Sequence, residues 1–229
     1  MKVQEIHVKV FLKQDIEFSK VPEKIAKFIS MYLARDERFL ELHISKDYKP
    51  YSLDYLYPME KDRIYKKENI YTFRIRSIDT KLVNFFLNGL DDFSNDDFKG
   101  LVLKARTIPQ RHITRLYSLT PIIFKNDGGY WRGVMELDEY ENRLNSNLFK
   151  KYKSFVGDIE QEDKFYKSIK FLNVKPIAIK YKGVELLGDK LELEIKDDKL
   201  SQDLAYLALG VTFSEGSSFS CGFMGYKFL

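Results

Sequence analysis

Two βαββαβ units in tandem, an α+β fold, are what this sequence predicts. Three observations carry the prediction. Runs such as 6–12 and 71–76 alternate apolar and polar residues with period two, while other runs space their apolar residues as a helix does. In the first half these runs follow the order strand, helix, strand, strand, helix, strand, which is the split βαβ or ferredoxin-like (RRM-like) pattern. The second half starts the same order again without repeating it residue by residue. The predicted units are 1–110 and 118–229, joined by a basic connector.

Each element has its own warrant. Ile6, Val8, Val10 and Leu12 alternate with His7, Lys9 and Phe11, the mark of a half-buried strand. Ser19 and Pro22 start a helix, and Ile25, Phe28, Ile29, Tyr32 and Leu33 form its apolar stripe until charged residues from Arg35 to Arg38 end it. Residues 40–44 and 50–59 read as a loop and then a strand, with Tyr51, Leu53, Tyr55 and Tyr57 on alternate positions. Tyr71, Phe73 and Ile75 mark a strand. Asp79 caps a helix carrying Leu82, Phe85, Phe86 and Leu90, with Gly89 near its end. A fourth strand covers 98–105, and 107–116, with Pro109, is the connector. In the second half, 119–124 reads as a strand, 137–155 as a helix, and 174–181 and 191–195 as strands. Leu200, Leu204, Leu207 and Ala208 form a helical stripe, and 223–228 closes the sheet.

The 229 residues suffice for a core without disulfides or metal. Cys221 is the single cysteine, which excludes an intrachain disulfide and suits a reducing cytoplasm. His7, His43 and His112 lie far apart, so no metal cluster and no cofactor are expected. Charges interrupt the N-terminus before a signal peptide could form, and no uncharged apolar run approaches the ~20 residues that span a bilayer. A soluble cytoplasmic protein is expected, with no membrane partner. Net charge is +4, from 38 basic against 34 acidic residues. Acids gather at Asp91, Asp92, Asp96 and Asp97 and from Glu136 to Glu141; bases gather at 61–67, 104–115 and 164–182. That segregation leaves basic surface available, and an ordinary solvated surface explains it equally well.

Two stretches carry candidate chemistry. Near the C-terminus, Gly216, Ser217, Ser218, Ser220, Gly222 and Gly225 form a small polar loop after a helix that closes on Gly210. Glycine admits close backbone approach, and unpaired N–H groups can meet phosphate oxygens. A glycine-rich turn is the alternative, and the missing lysine after the last glycine excludes a nucleotide P-loop. The second stretch is His43, with Tyr32 before it and Lys49 after it. A histidine can protonate a leaving alkoxide near neutral pH, a lysine can stabilise a phosphorane, and a tyrosine can orient a nucleophilic hydroxyl. These are the parts for metal-free RNA cleavage, in which a 2′-hydroxyl attacks the adjacent phosphate. Each also has a plainer reading: Tyr32 as core, Lys49 as surface, His43 as a structural histidine. Lys104, Arg106, Arg111 and Arg115 lie in or beside the connector and are expected on the RNA backbone; His112 belongs with that phosphate contact rather than with proton transfer.

At these residues the chain resembles the CRISPR-associated endoribonucleases of the RAMP superfamily, which cut precursor CRISPR RNA within its repeats. The likeness rests on 71–79 (YTFRIRSID), on His43 followed by 49–53 (KPYSL), on 119–122 (LTPI) and on 220–223 (SCGF). The resemblance implies two ferredoxin-like domains and metal-independent cleavage that leaves a 2′,3′-cyclic phosphate and a 5′-hydroxyl. It gives His43, Lys49 and Tyr32 the family's histidine, lysine and tyrosine roles. It implies CRISPR repeat RNA as partner, and admits CRISPR effector complex subunits and a homodimer. The chain departs from the family's paired glycines at Ser214 and Met224, with Gly225 one residue later. Two rivals stand beside this expectation: a non-catalytic RNA-binding subunit of an effector complex on the same fold, and a protein-interaction module that binds no RNA.

Overall fold

The computed structural model describes residues 1–124, 129–159 and 163–229. The first half contains β1 (Val3–Leu12), β2 (Ile16–Glu17), α1 (Val21–Leu33), α2 (Glu37–Ile44), β3 (Tyr51–Leu53), β4 (Ile64–Tyr65), β5 (Ile70–Ser77), α3 (Thr80–Leu87) and β6 (Phe98–Ile108). The second contains β7 (Ile113–Ser118), α4 (Leu137–Phe155), β8 (Tyr166–Phe171), β9 (Ile177–Tyr181), β10 (Val184–Gly188), β11 (Leu191–Ile195), α5 (Lys199–Val211) and β12 (Met224–Phe228).

Each half builds a four-stranded antiparallel sheet. The orders are β3-β5-β1-β6 and β12-β7-β11-β8. Within each unit the fourth strand lies beside the first, and the third lies between the first and the second. This is the ferredoxin-like order expected from the sequence. The strands form where the alternation predicts: Ile6, Val8 and Val10 are fully buried while Lys9 is exposed. The Asp79 carboxylate caps α3 by accepting from Lys81 N and Leu82 N, and the stripe on α1 is buried from Ile25 to Leu33.

Four expectations shift. Residues 40–44 were expected in a loop but belong to α2, whose N-cap Asp36 accepts from Arg38 N. Leu40, Leu42 and Ile44 alternate like a strand, and Phe39 alone on this helix is buried, so its periodicity is faint. The basic connector is largely strand. β6 runs to Ile108, β7 starts at Ile113, and β7 pairs with β11 and β12, so the second sheet begins before residue 118. Residues 119–124 contribute one isolated bridge, Ile122 to Asp189, rather than a strand. Finally, β8 is the second strand of the second sheet, while β9 and β10 form a separate hairpin inserted before β11.

Each sheet covers one helix-backed core. A smaller apolar cluster, Ile123, Ile179, Phe219 and Cys221 with Tyr55 and Tyr181 against it, joins the halves. A polar junction joins them again. The Arg76 guanidinium, 1% exposed, donates to the fully buried Glu5 carboxylate at 2.7 Å and to the Met224 carbonyl of β12, and it lies 4.3 Å from the Phe223 ring centroid. Burial alone would raise the Glu5 carboxyl, but Arg76, with His7 and Arg106, holds it down at about 2.

Candidate active site

His43 sits in the last turn of α2, half-buried, with Nδ1 sealed from solvent and lacking a partner among the described residues. Burial, then the ammonium groups of Lys49 and Lys182, push its pKa below the ordinary histidine value. Lys49 folds back on the same helix. Its Nζ donates to the carbonyls of Leu42 at 2.5 Å and Ser45 at 2.7 Å and to Ser45 Oγ at 3.2 Å, supplying a cation to the helix C-terminus. Burial lowers the Lys49 ammonium, partly opposed by Asp47.

Lys182 comes from the other half of the chain. It occupies the β9–β10 turn with φ +49°, followed by Gly183 at φ +76°, the paired left-handed residues of a two-residue hairpin. Its N–H donates to Glu23 Oε1 of α1 at 3.2 Å, and its side chain is exposed. The preceding Tyr181 stacks on Phe219 at 4.2 Å between ring centroids. The hairpin is thus seated on the glycine-rich loop and aims its lysine toward α2.

The other two histidines have carboxylate partners. His7 Nε2 lies 2.8 Å from Glu5 Oε1, and His112 Nε2 lies 3.2 Å from Asp197 Oδ1. Of the three, His43 is the one whose charged neighbours are cations.

Tyr32 does not join the constellation. It is 3% exposed, packed among Phe85, Phe86 and Phe93, and its hydroxyl donates to the Phe85 carbonyl at 2.9 Å. Burial raises its pKa further. Its place on the apolar stripe of α1 makes it a core residue, and the orienting role expected for it has no geometry here.

The glycine-rich loop also differs from expectation. Gly216, Ser217, Ser220, Gly222 and Gly225 are buried, and Ser218 is half-buried. The N–H groups of Phe219 and Cys221 donate to the Gly216 carbonyl, that of Gly222 to the Pro121 carbonyl, and that of Phe223 to Thr120 Oγ1. These donors are satisfied inside the protein rather than offered to phosphate. The glycines serve close packing: a Cβ on Gly222, at φ +71°, would stand 2.5 Å from Thr212 Oγ1, and one on Gly225 2.3 Å from the Tyr117 ring. Ser214 replaces a family glycine by exchanging hydrogen bonds with the backbone of Ile123, and Met224 fills the second core.

The basic residues expected on RNA fare differently. Lys104 and Arg106 project from β6 on the sheet face away from the helices. There the register aligns Arg76, Glu5 and Arg106 in one row and Arg74, His7 and Lys104 in the next. Arg106 is 58% exposed although it pairs with Glu5. Arg111 and Arg115 are exposed, Arg115 beside Glu192. Next to this face a groove of about 850 Å³ runs between the halves. His7, Thr72 and Arg74 line one wall, Tyr57 and Arg63 another, and Leu119, Pro121 and Lys190 the far side. Arg74, Lys190 and Lys182 were not singled out in the sequence. For Lys182 a signal existed, since Lys182-Gly183 interrupts two alternating runs.

The family model described as CRISPR associated protein Cas6, C-terminal, matches residues 103–221, just over half of the chain. The chain belongs to the Cas6 family. No curated protein matches it. Three solved structures are similar over nearly their whole length. One, titled "CRISPR associated protein Cas6", shares 16% identity at a TM-score of 0.71, with 98% of this chain and 99% of that one covered. A Cas6-related gene product from Pyrococcus furiosus shares 17% identity at 0.72, with 98% of each chain covered. "An RAMP protein binding different RNA substrates" shares 15% identity at 0.76, with 98% and 99% covered. At these identities the likeness shows the fold: the double ferredoxin-like architecture of Cas6 and RAMP proteins. Among the described residues, no helix is long and apolar enough to cross a membrane.

Proposed function

We propose that this Cas6 family member is a metal-independent endoribonuclease that cuts CRISPR repeat RNA once per repeat, leaving a 2′,3′-cyclic phosphate and a 5′-hydroxyl. Membership in the family supports RNA processing. The observation that carries the finer reading is the setting of His43: among the described residues it is the histidine without a carboxylate partner, and Lys49 and Lys182 are its charged neighbours. Such a setting attracts a phosphodiester and favours proton release.

In this reading the 2′-oxygen forms a bond to phosphorus and the bond from phosphorus to the 5′-oxygen breaks. His43 gives its proton to the departing 5′-oxygen, and the 2′-hydroxyl proton leaves to water. The Lys49 and Lys182 ammonium groups offset the charge on the phosphorane oxygens. A bound phosphate also raises the His43 pKa toward neutrality, restoring the proton the free site tends to lose. The basic face of β5, β1 and β6 and the adjoining groove hold the RNA backbone, with Lys104, Arg106, Arg111 and Arg115 along its path. The cut product stays bound and passes with the protein to an effector complex.

The second reading, an RNA-binding subunit that does not cut, has the burial of Tyr32 in its favour. Single-turnover cleavage of repeat RNA in EDTA separates the two. The parent cleaves under these conditions, and His43→Ala slows the step by about 10²–10⁴-fold with Kd nearly unchanged. A rate within threefold of the parent removes His43 from the chemistry, and restoration only by magnesium refutes the metal-free mechanism.

A further inference from the structure

A second pocket, outside the constellation around His43, lies at the other end of the short loop that carries Lys49. Helix α4 presents Arg143, Ser146, Asn147 and Lys150 at i, i+3, i+4 and i+7, one face of the helix. Opposite them stands Tyr48, with Glu215 at the foot, and the volume of this open pocket is about 550 Å³. That is the size of a small-ligand site.

The floor of the pocket is rigid. Asn147 Nδ2 donates to the Phe213 carbonyl at 2.6 Å. Lys151, 3% exposed, donates from Nζ to the carbonyls of Val211 at 3.1 Å, Thr212 at 2.8 Å and Ser214 at 2.9 Å, and lies 5.8 Å from the Tyr48 ring centroid. Arg143 is held in place by Glu215 Oε1, at 3.0 Å from Nε and 2.7 Å from Nη2. Lys150 is exposed and has no partner among the described residues. The site thus combines a half-exposed aromatic ring, a fixed guanidinium and an uncommitted ammonium. Those are the groups that bind single-stranded nucleic acid, the ring for a base and the cations for phosphate.

We infer that this pocket is a nucleotide subsite. It takes one unpaired nucleotide of the RNA close to the cleaved bond, its base against Tyr48 and its phosphate on Lys150 and Arg143. The inference rests on the reading of His43 above, because Tyr48 is five residues from His43, a chain reach of at most about 17 Å. Lys49 shortens that reach by folding back onto Leu42. RNA that leaves the His43 site along α4 meets this pocket next.

The test uses the full chain and a repeat RNA with a 2′-deoxy nucleotide at the cut, which binds without being cleaved. Tyr48→Ala and Lys150→Ala each raise Kd by about 5- to 100-fold, the range of base stacking on an aromatic ring or of one or two phosphate contacts. Tyr48→Phe stays within twofold of the parent, which also shows that the ring and not the fold was lost in Tyr48→Ala. Lys199→Ala, an exposed lysine on α5 rather than α4, stays within twofold. On RNAs trimmed from each end, the penalty of Tyr48→Ala disappears at the length that removes the bound nucleotide. Unchanged Kd in both Tyr48→Ala and Lys150→Ala overturns the subsite. If His43→Ala still loses cleavage in that case, the reading of the active site stands without it. If the parent binds no repeat RNA, both fall.

Discussion

Two helices of this protein end on a lysine ammonium, and the two ends behave differently. At α2, Lys49 is half-buried and satisfies the carbonyls of Leu42 and Ser45 on the surface beside His43. At α5, Lys151 reaches across from α4, is sealed from solvent, and gathers three carbonyls from the end of α5 and the chain beyond it. Both side chains, when protonated, complement the partial negative charge of a helix C-terminus. Only the first can turn toward a phosphate, since its bonds face solvent that RNA can replace. The second spends its bonds on buried carbonyls beneath the surface. The same residue type doing the same local work is therefore available for chemistry in one place and committed to architecture in the other, and depth decides which.

Removing Lys151 has the largest expected effect. Lys151→Met leaves three carbonyls without a donor at a cost of about 3 kcal/mol or more, a fall in Tm of roughly 6–12 °C. Thermal unfolding measures it. The pH dependence sharpens the assignment. Burial lowers the Lys151 pKa to about 7 from a value near 10.5. Between these values the unfolded chain holds a proton that the folded chain has released, so stability due to this group rises with pH across that window. The stability gap between parent and Lys151→Met therefore widens from pH 7 to pH 10. A gap that stays flat would show that the group is held as an ammonium throughout.

The effect of Lys49→Met falls on rate. Single-turnover cleavage slows by about 10²-fold, the scale of losing one group that stabilises the transition state, while stability changes by about 1 kcal/mol or less because the side chain is partly exposed. The variant also moves the pH profile. As general acid, His43 must be protonated, so kcat/KM falls as pH rises through its free-enzyme pKa. Lys49 holds that pKa down, and its removal shifts the falling limb to higher pH. A limb that stays in place would separate Lys49 from His43 electrostatically.

The smallest effect belongs to Tyr32→Phe. Losing the hydroxyl's bond to the Phe85 carbonyl costs about 1 kcal/mol of stability and leaves cleavage within threefold of the parent. A hundredfold loss of rate at unchanged stability would return Tyr32 to the active site.

The strands, the apolar stripe of α1 and the cap at Asp79 were legible because each is set by a local rule of spacing or hydrogen bonding. The element around His43 was not: α2 buries one residue, and its leucines happen to alternate. The second domain was harder still. A hairpin inserted between β8 and β11 offers the same alternation as a sheet strand, and only pairing with a distant partner tells them apart. Among candidate residues, His43 and Lys49 could be named from residue type. Lys182 reaches them through tertiary structure, across about 140 residues of chain, so no window of sequence contains the trio. The glycine-rich loop misled in an instructive way. Glycine marks close approach, and here the approaching partners are the Thr212 and Tyr117 side chains rather than a ligand.

Arg76 bears on how the protein could be divided. Its guanidinium is anchored to Glu5 within its own half, yet its remaining contacts, the Met224 carbonyl and the Phe223 ring, arrive at the far end of the chain. A fragment ending near residue 110 would keep a buried cation and lose the strand that covers it. The two halves are separable as topology, each with its own sheet and core, but the buried Arg76 of the first half takes its last carbonyl from the second. A substitution that displaces the Met224 carbonyl of β12 is therefore expected to loosen the first half of the fold as well as the second.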